Sequence, residues 1–219
     1  MILEVNYQEK YSRGELLLRS FFGWLYIVLP HIFLLMFLQI WSSILTFISF
    51  WSIMFTGRYP KSFFEFQVQL LRWNLRVNAR LYNLSDGYPR FGLSVDDPVV
   101  TLEVPYPESL KRSTAIFKLL FGLFYVILPH GFVLMFVSIG AQIAMIGNWF
   151  IILFTGKSNK SIHDFLVGFI RWNTRVNLYM MYMTDRYPPF TLDAVPSEMP
   201  PRDIDPPAQE TSEEDEQTS

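Results

Sequence analysis

The stretch FTGRYPKSFFEFQVQLLRWNLRVN, beginning at Phe55, returns 99 residues later as FTGKSNKSIHDFLVGFIRWNTRVN, beginning at Phe154. Each copy follows a long run with no charged side chain, and no other feature narrows the fold so far. At that offset, without gaps, residues 3–93 and 102–192 agree at about 37 of 91 positions. Leu29-Pro30-His31 returns as Leu128-Pro129-His130, Arg72-Trp73-Asn74 as Arg171-Trp172-Asn173, and Tyr88-Pro89 as Tyr187-Pro188. The chain is a tandem duplication with its boundary near 96–98. Two related surfaces on one chain are expected to pack about a pseudo-twofold axis.

The charge-free runs cover 21–57 and 119–156. Runs of this length point to lipid as the solvent. Composition agrees: 51% of residues are hydrophobic, with 21 Phe, 6 Trp and 11 Tyr, more apolar surface than a soluble domain of 219 residues hides. With no cysteine, disulfides, thiolate metal sites and cysteine nucleophiles are excluded. The N-terminus has acidic residues and no early apolar core, so it does not read as a secretory signal.

Each apolar stretch, about 16–55 and about 115–154, would be about 60 Å long as one straight helix, twice the bilayer core of about 30 Å. Two passes are therefore expected in each copy. The tips are placed at the weakest hydrophobic points, Gln39, Ser42 and Ser43, then Ser138, Gly140 and Gln142. Basic residues flank both stretches and the tips carry none, which puts every basic group on the cytoplasmic side. A shallow hairpin that does not cross is the rival. Arg19 and Lys118 are expected to snorkel to the headgroups. Gly57 and Gly156 read as helix-ending glycines.

Beyond them, Glu65, Gln69, Arg72, Arg76, Arg80 and Asn83 form one helical stripe and Phe66, Leu70, Trp73, Val77, Leu81 and Leu84 another. The pattern predicts a helix lying in the interface, apolar face down. Alternating residues on both sides of Asp96-Asp97-Pro98 predict a β-hairpin between the copies, with further strands at ILEVNY and PFTL.

The order of a Leu-Pro-His in an apolar helix, a Phe-Thr-Gly-basic exit, an Arg-Trp helix and the ending Asp185-Arg186-Tyr187-Pro188-Pro189-Phe190 resembles bacterial domain-of-unknown-function family 4389. The first copy departs from it at Asp86-Gly87-Tyr88-Pro89-Arg90-Phe91. The resemblance covers both copies, up to about residue 193. It implies a multi-pass membrane protein and brings no assigned reaction.

The expected fold is an all-α membrane protein of two tandem repeats, each a transmembrane helical hairpin plus an interfacial amphipathic helix, with short cytoplasmic β-strands. Repeat 1 covers 1–95, with its amphipathic helix at about 61–84. Repeat 2 covers 96–193, with its helix at about 160–183. An acidic, disordered tail follows over 194–219. The expected location is the inner (cytoplasmic) membrane of the cell, multi-pass, with both termini cytoplasmic.

Arg72, Trp73, Arg76, Arg171, Trp172 and Arg175 are the candidate lipid or partner site. The alternatives are plain anchoring, or pairing with the acids seven residues earlier, Glu65 and Asp164. His31 and His130, each after a proline in an apolar helix, are the candidate intramembrane polar site. Two histidines related by a pseudo-twofold axis could hold a haem iron or relay protons. The plainer reading has each bonding a carbonyl freed by the proline. His163 has Phe64 as its counterpart and is expected to be exposed at the interface. No nucleophile elbow, phosphate loop or intramembrane carboxylate pair is present. A non-enzymatic membrane scaffold or accessory subunit is expected. Its partners would be membrane lipids and other membrane-protein subunits, with no nucleic acid and no metal. A lipid-binding, membrane-shaping or transport-related protein is the alternative, and a haem-binding electron-transfer protein comes third.

Overall fold

The computed structural model describes residues 1–198. The acidic run expected to be disordered lies, from 199 on, outside the described residues. The elements in chain order are β1 (Ile2–Val5), α1 (Arg13–Gly23), a π-helical turn (Trp24–Val28), α2 (Leu29–Thr56), α3 (Lys61–Leu81), β2 (Val100–Glu103), α4 (Arg112–Gly122), a second π turn (Leu123–Ile127), α5 (Leu128–Thr155), α6 (Lys160–Met180) and a 3-10 turn (Pro196–Glu198).

The hairpins expected at 16–55 and 115–154 are not formed. Each stretch is one helical run, Arg13–Thr56 and Arg112–Thr155, of 44 residues, long and apolar enough to cross a membrane. The polar residues read as hairpin tips lie inside α2 and α5. Ser42 donates to Gln67 Oε1 of α3 at 2.6 Å, and Gln67 Nε2 returns a bond to the Ser42 carbonyl at 2.9 Å. Ser43 donates to the Gln39 carbonyl one turn back. Polar and small residues at helical spacing here mark the face that packs on the next helix.

Pro30 and Pro129 are carried by the π turns. Proline has no N–H for the carbonyl four residues back, and its ring crowds the preceding turn. Widening to a π turn makes room. Those carbonyls, of Tyr26 and Tyr125, accept from the Tyr88 and Tyr187 hydroxyls at 2.9 and 2.8 Å. The long helices end at Gly57 and Gly156, both left-handed (φ 73° and 71°), a conformation that costs glycine nothing.

The chain turns back there, and α3 runs antiparallel along α2, as α6 does along α5. At both ends the long helices meet. Tyr11 N–H donates to the Gly156 carbonyl (2.9 Å) and Leu110 N–H to that of Gly57 (2.8 Å). Arg13 caps the Phe154 carbonyl and Arg112 that of Phe55. Leu16 packs on Ile152, both fully buried, and Ala115 joins the cluster of Ile53 and Phe50. Full burial of such side chains stabilises by about 1.5–3 kcal/mol each.

A polar layer covers α3 and α6. β1 pairs antiparallel with β2, with Leu3 opposite Leu102. Leu3, Val5, Val100 and Leu102 pack on Leu75 and Ala79 of α3 and on Leu166, Val167 and Ile170 of α6. The connector hairpin and the PFTL strand are not present: 91–95 and 189–192 are irregular, and β2 takes its partner from the start of the chain. Arg19 and Lys118 do not snorkel; they are 7% and 2% exposed. Arg19 bonds Asn83 and Ser85 and lies 3.5 Å from Asp86, while Lys118 donates to the Thr184 carbonyl at 2.6 Å.

Exposed large hydrophobic side chains fall on the long runs, from Leu17 to Phe55 and from Ile116 to Phe154; the others among the described residues are Tyr7, Tyr88, Phe91, Tyr187 and Phe190. α3 and α6 expose none. They lie between the long helices and the polar layer.

Candidate functional site

The candidate residues belong to a heptad that both copies share, Arg-Trp-Asn-x-Arg-Val-Asn, at 72–78 and 171–177. At about 100° per residue its side chains leave the helix in three directions.

The tryptophans face the long helices and meet the histidines. Trp73 Nε1 donates to His31 Nδ1 at 2.8 Å, and Trp172 Nε1 to His130 Nδ1 at 2.9 Å. An indole N–H only donates, so each Nδ1 accepts and each imidazole is neutral with its proton on Nε2. Both histidines are 0% exposed. Phe91 stacks on His31 at 4.0 Å and Phe190 on His130 at 3.9 Å. Tyr88 and Tyr187 lie against the same rings. His130 Nε2 has no hydrogen-bond partner among the described residues. The arrangement does not fit a haem held between the copies, because each imidazole is enclosed by aromatic rings of its own repeat. Nor does either histidine serve the carbonyl left by its proline, which Tyr88 or Tyr187 takes.

The arginines face the polar layer, Arg76 and Arg175 buried and Arg72 and Arg171 half-buried. Arg72 Nε donates to the Leu102 carbonyl at 2.8 Å; Arg171 reaches the Leu3 and Leu192 carbonyls at 3.2 and 3.0 Å. Arg76 donates to the Val95 carbonyl (2.7 Å) and to that of Gly92. Arg175 donates to the Thr191 carbonyl (2.7 Å) and, through Nε, to Glu198 (2.9 Å). Arg76 and Arg175 are 1% and 5% exposed. Burial pulls the Arg76 and Arg171 guanidinium groups below their ordinary value. These four arginines hold the loops and strands against α3 and α6. The acids seven residues earlier are not their partners, since Asp164 pairs with Lys160 at 3.1 Å.

His163 is not exposed. It is 3% accessible, edge-on to Tyr7 at 5.3 Å, with Nδ1 3.3 Å from Asp164. Burial holds its pKa below the ordinary imidazole value despite that carboxylate. Glu198, placed by the sequence in the disordered tail, is fixed on Arg175. Tyr88, Tyr187, Phe91 and Phe190 complete the histidine sites and were not singled out from the sequence. Their repetition in both copies was the available signal.

Among known families, the one described as "Domain of unknown function (DUF4389)" matches the chain twice, at residues 18–92 and 113–191. No curated protein and no solved structure matches it.

Proposed function

We propose, for a chain that belongs to the DUF4389 family and carries its domain twice, that it is a non-enzymatic scaffold of the inner (cytoplasmic) membrane of the cell, seated in one leaflet and binding other membrane proteins through its long helices. One observation carries this reading: exposed large apolar side chains are concentrated on the two long runs, and the charged side chains lie on the opposite layer and at the helix ends. An apolar surface of this extent calls for lipid or protein cover.

The polar layer also supports an orientation. Residues 6–12 run from the β1–β2 pair to one end of the long helices, and residues 104–111 run from it to the other. Irregular backbone of this kind is not tolerated in hydrocarbon. If the helices stood upright in the bilayer, these segments would lie at mid-depth. Laid along the membrane, the helices put all of them in water on one side. Lys10, Arg13, Arg58, Lys61, Lys111, Arg112, Lys157 and Lys160 then share that side, which the positive-inside rule makes cytoplasmic. Two long helices each crossing once would divide the same residues between both faces.

With no native cysteine, single cysteines at Glu9, Asp96 and Glu108 report the orientation directly. All three should resist a membrane-impermeant maleimide added outside and react once the cytoplasmic face is opened. Reaction of positions 9 and 108 from opposite sides would refute it. The scaffold role is tested by gentle solubilisation and mass spectrometry. A stoichiometric protein partner supports it, and a lone protein refutes it.

Insertion into a single leaflet favours a second reading, membrane shaping, since a body wedged into one leaflet expands it against the other. Tubulation of vesicles by the purified protein supports that reading, and unchanged vesicles argue against it.

A further inference from the structure

The third direction of the shared heptad is so far without a role. Asn74 and Asn78 of α3, and their equivalents Asn173 and Asn177 of α6, point into a cleft of about 250 Å³ between the two helices, with Leu75 and Ile170 among its apolar walls. Asn74 lies two residues from both Arg72 and Arg76, about 200° round the helix. The cleft therefore opens away from the polar layer, on the side flanked by the apolar long helices. Asn74 Nδ2 donates to the Leu70 carbonyl and Asn173 Nδ2 to that of Phe169, both at 2.9 Å, which spends one donor of each. Asn78 and Asn177 make no side-chain hydrogen bond among the described residues. The Thr174 hydroxyl is used on its own helix, at the Ile170 carbonyl.

We infer that this cleft binds an uncharged lipid through a hydroxyl or carbonyl oxygen, a reading that rests on the membrane placement proposed above. Four neutral amides supply donors and acceptors, and no carboxylate, amine or guanidinium lines the cleft, so a charged headgroup has no counter-ion there. Asn177 is exposed and the other three are half-buried, and in hydrocarbon amide groups without partners are costly. The Asn and Trp of the heptad are the same in both copies; each Trp is used on a histidine, while the Asn pairs keep amide groups that no contact among the described residues uses. A single acyl chain with a small polar end matches a lining of four amides set among apolar side chains.

The test uses the full chain in phospholipid vesicles and two photoactivatable probes of equal length, a diazirine hexadecanol and a diazirine hexadecane. The alcohol should label peptides from 70–82 and 169–178 about tenfold more than the alkane does. Excess hexadecanol, and not hexadecane, should compete. Asn78→Leu with Asn177→Leu should abolish the preference while alkane labelling of 17–55 and 116–154 is unchanged, which also shows that the variant is folded. Equal labelling of the cleft by both probes would overturn the inference, as would a protein crosslinked there instead. If the alkane fails to label the long helices at all, the membrane placement falls first and the cleft proposal with it.

Discussion

Leu3 and Leu102 stand directly opposite each other in the β1–β2 ladder, and they are the same residue of the two copies. The register is symmetric about them, with Ile2 facing Glu103 and Glu4 facing Thr101. Arg171 reaches the carbonyl of Leu3 and Arg72 that of Leu102, so the sheet is pinned symmetrically from both helices beneath it.

Leu3→Ala should destabilise the protein by about 2–4 kcal/mol, because a leucine 2% exposed leaves a cavity when truncated. Leu102→Ala should cost a similar amount. The double variant should fall short of the sum, since the two side chains share one cavity. Denaturant midpoints in mild detergent provide the check.

Tyr88→Phe should cost about 1 kcal/mol by leaving the Tyr26 carbonyl without its hydroxyl donor. In a Pro30→Ala background the restored N–H can serve that carbonyl, and the cost should shrink. A double-mutant cycle reads the coupling directly, and strict additivity would count against the assignment.

Trp73→Phe and Trp172→Phe should each cost about 1–3 kcal/mol, since each leaves a buried imidazole acceptor unpaired. Added haemin should give no bis-histidine absorbance spectrum with the intact protein, given the rings closed over both histidines.

Glu198→Gln should cost about 1–3 kcal/mol, because the carboxylate–Arg175 pair is 9% and 4% exposed. Raising salt should hardly alter the loss, in contrast to a surface pair. Truncation after residue 198 should leave stability unchanged. Thermal midpoints at low and high salt separate the cases.

Acid should weaken the protein through His163. Its pKa is lowered on folding, so the unfolded chain binds the proton more readily. The neutral ring's contribution is complete above the unfolded value of about 6.5, falls as the pH drops below it, and levels off under the folded value. Tyr7, Lys160 and Asp164 are the groups facing it. His163→Phe, which copies Phe64 of the first repeat, should flatten the stability profile below about pH 6.5.

The duplication, the apolar stretches, their glycine stops and the start of both amphipathic helices were legible, because each depends on local chemistry. The single long helices were not. Ser42 read as a break in hydrophobicity, and only the position of Gln67 reveals it as a packing contact. The arginines' partners were hidden for a related reason. Their acceptors are main-chain carbonyls such as those of Leu102 and Val95, which carry no mark in the sequence. The histidine–tryptophan pairs join residues 42 apart in each copy, and that equal spacing was visible without the geometry to interpret it.

The bonds that close the frame, from Tyr11 to Gly156 and from Leu110 to Gly57, also set a timetable for synthesis. The first repeat leaves the ribosome with its end contacts still unmade, because the partner of Tyr11 lies 145 residues downstream and that of Gly57 lies 53. At about 5–20 residues per second it waits roughly 3–30 s for them. During that interval its long helix is without the contacts that fix both of its ends. Whatever attends the nascent chain must hold a half-built body in place until the second repeat arrives.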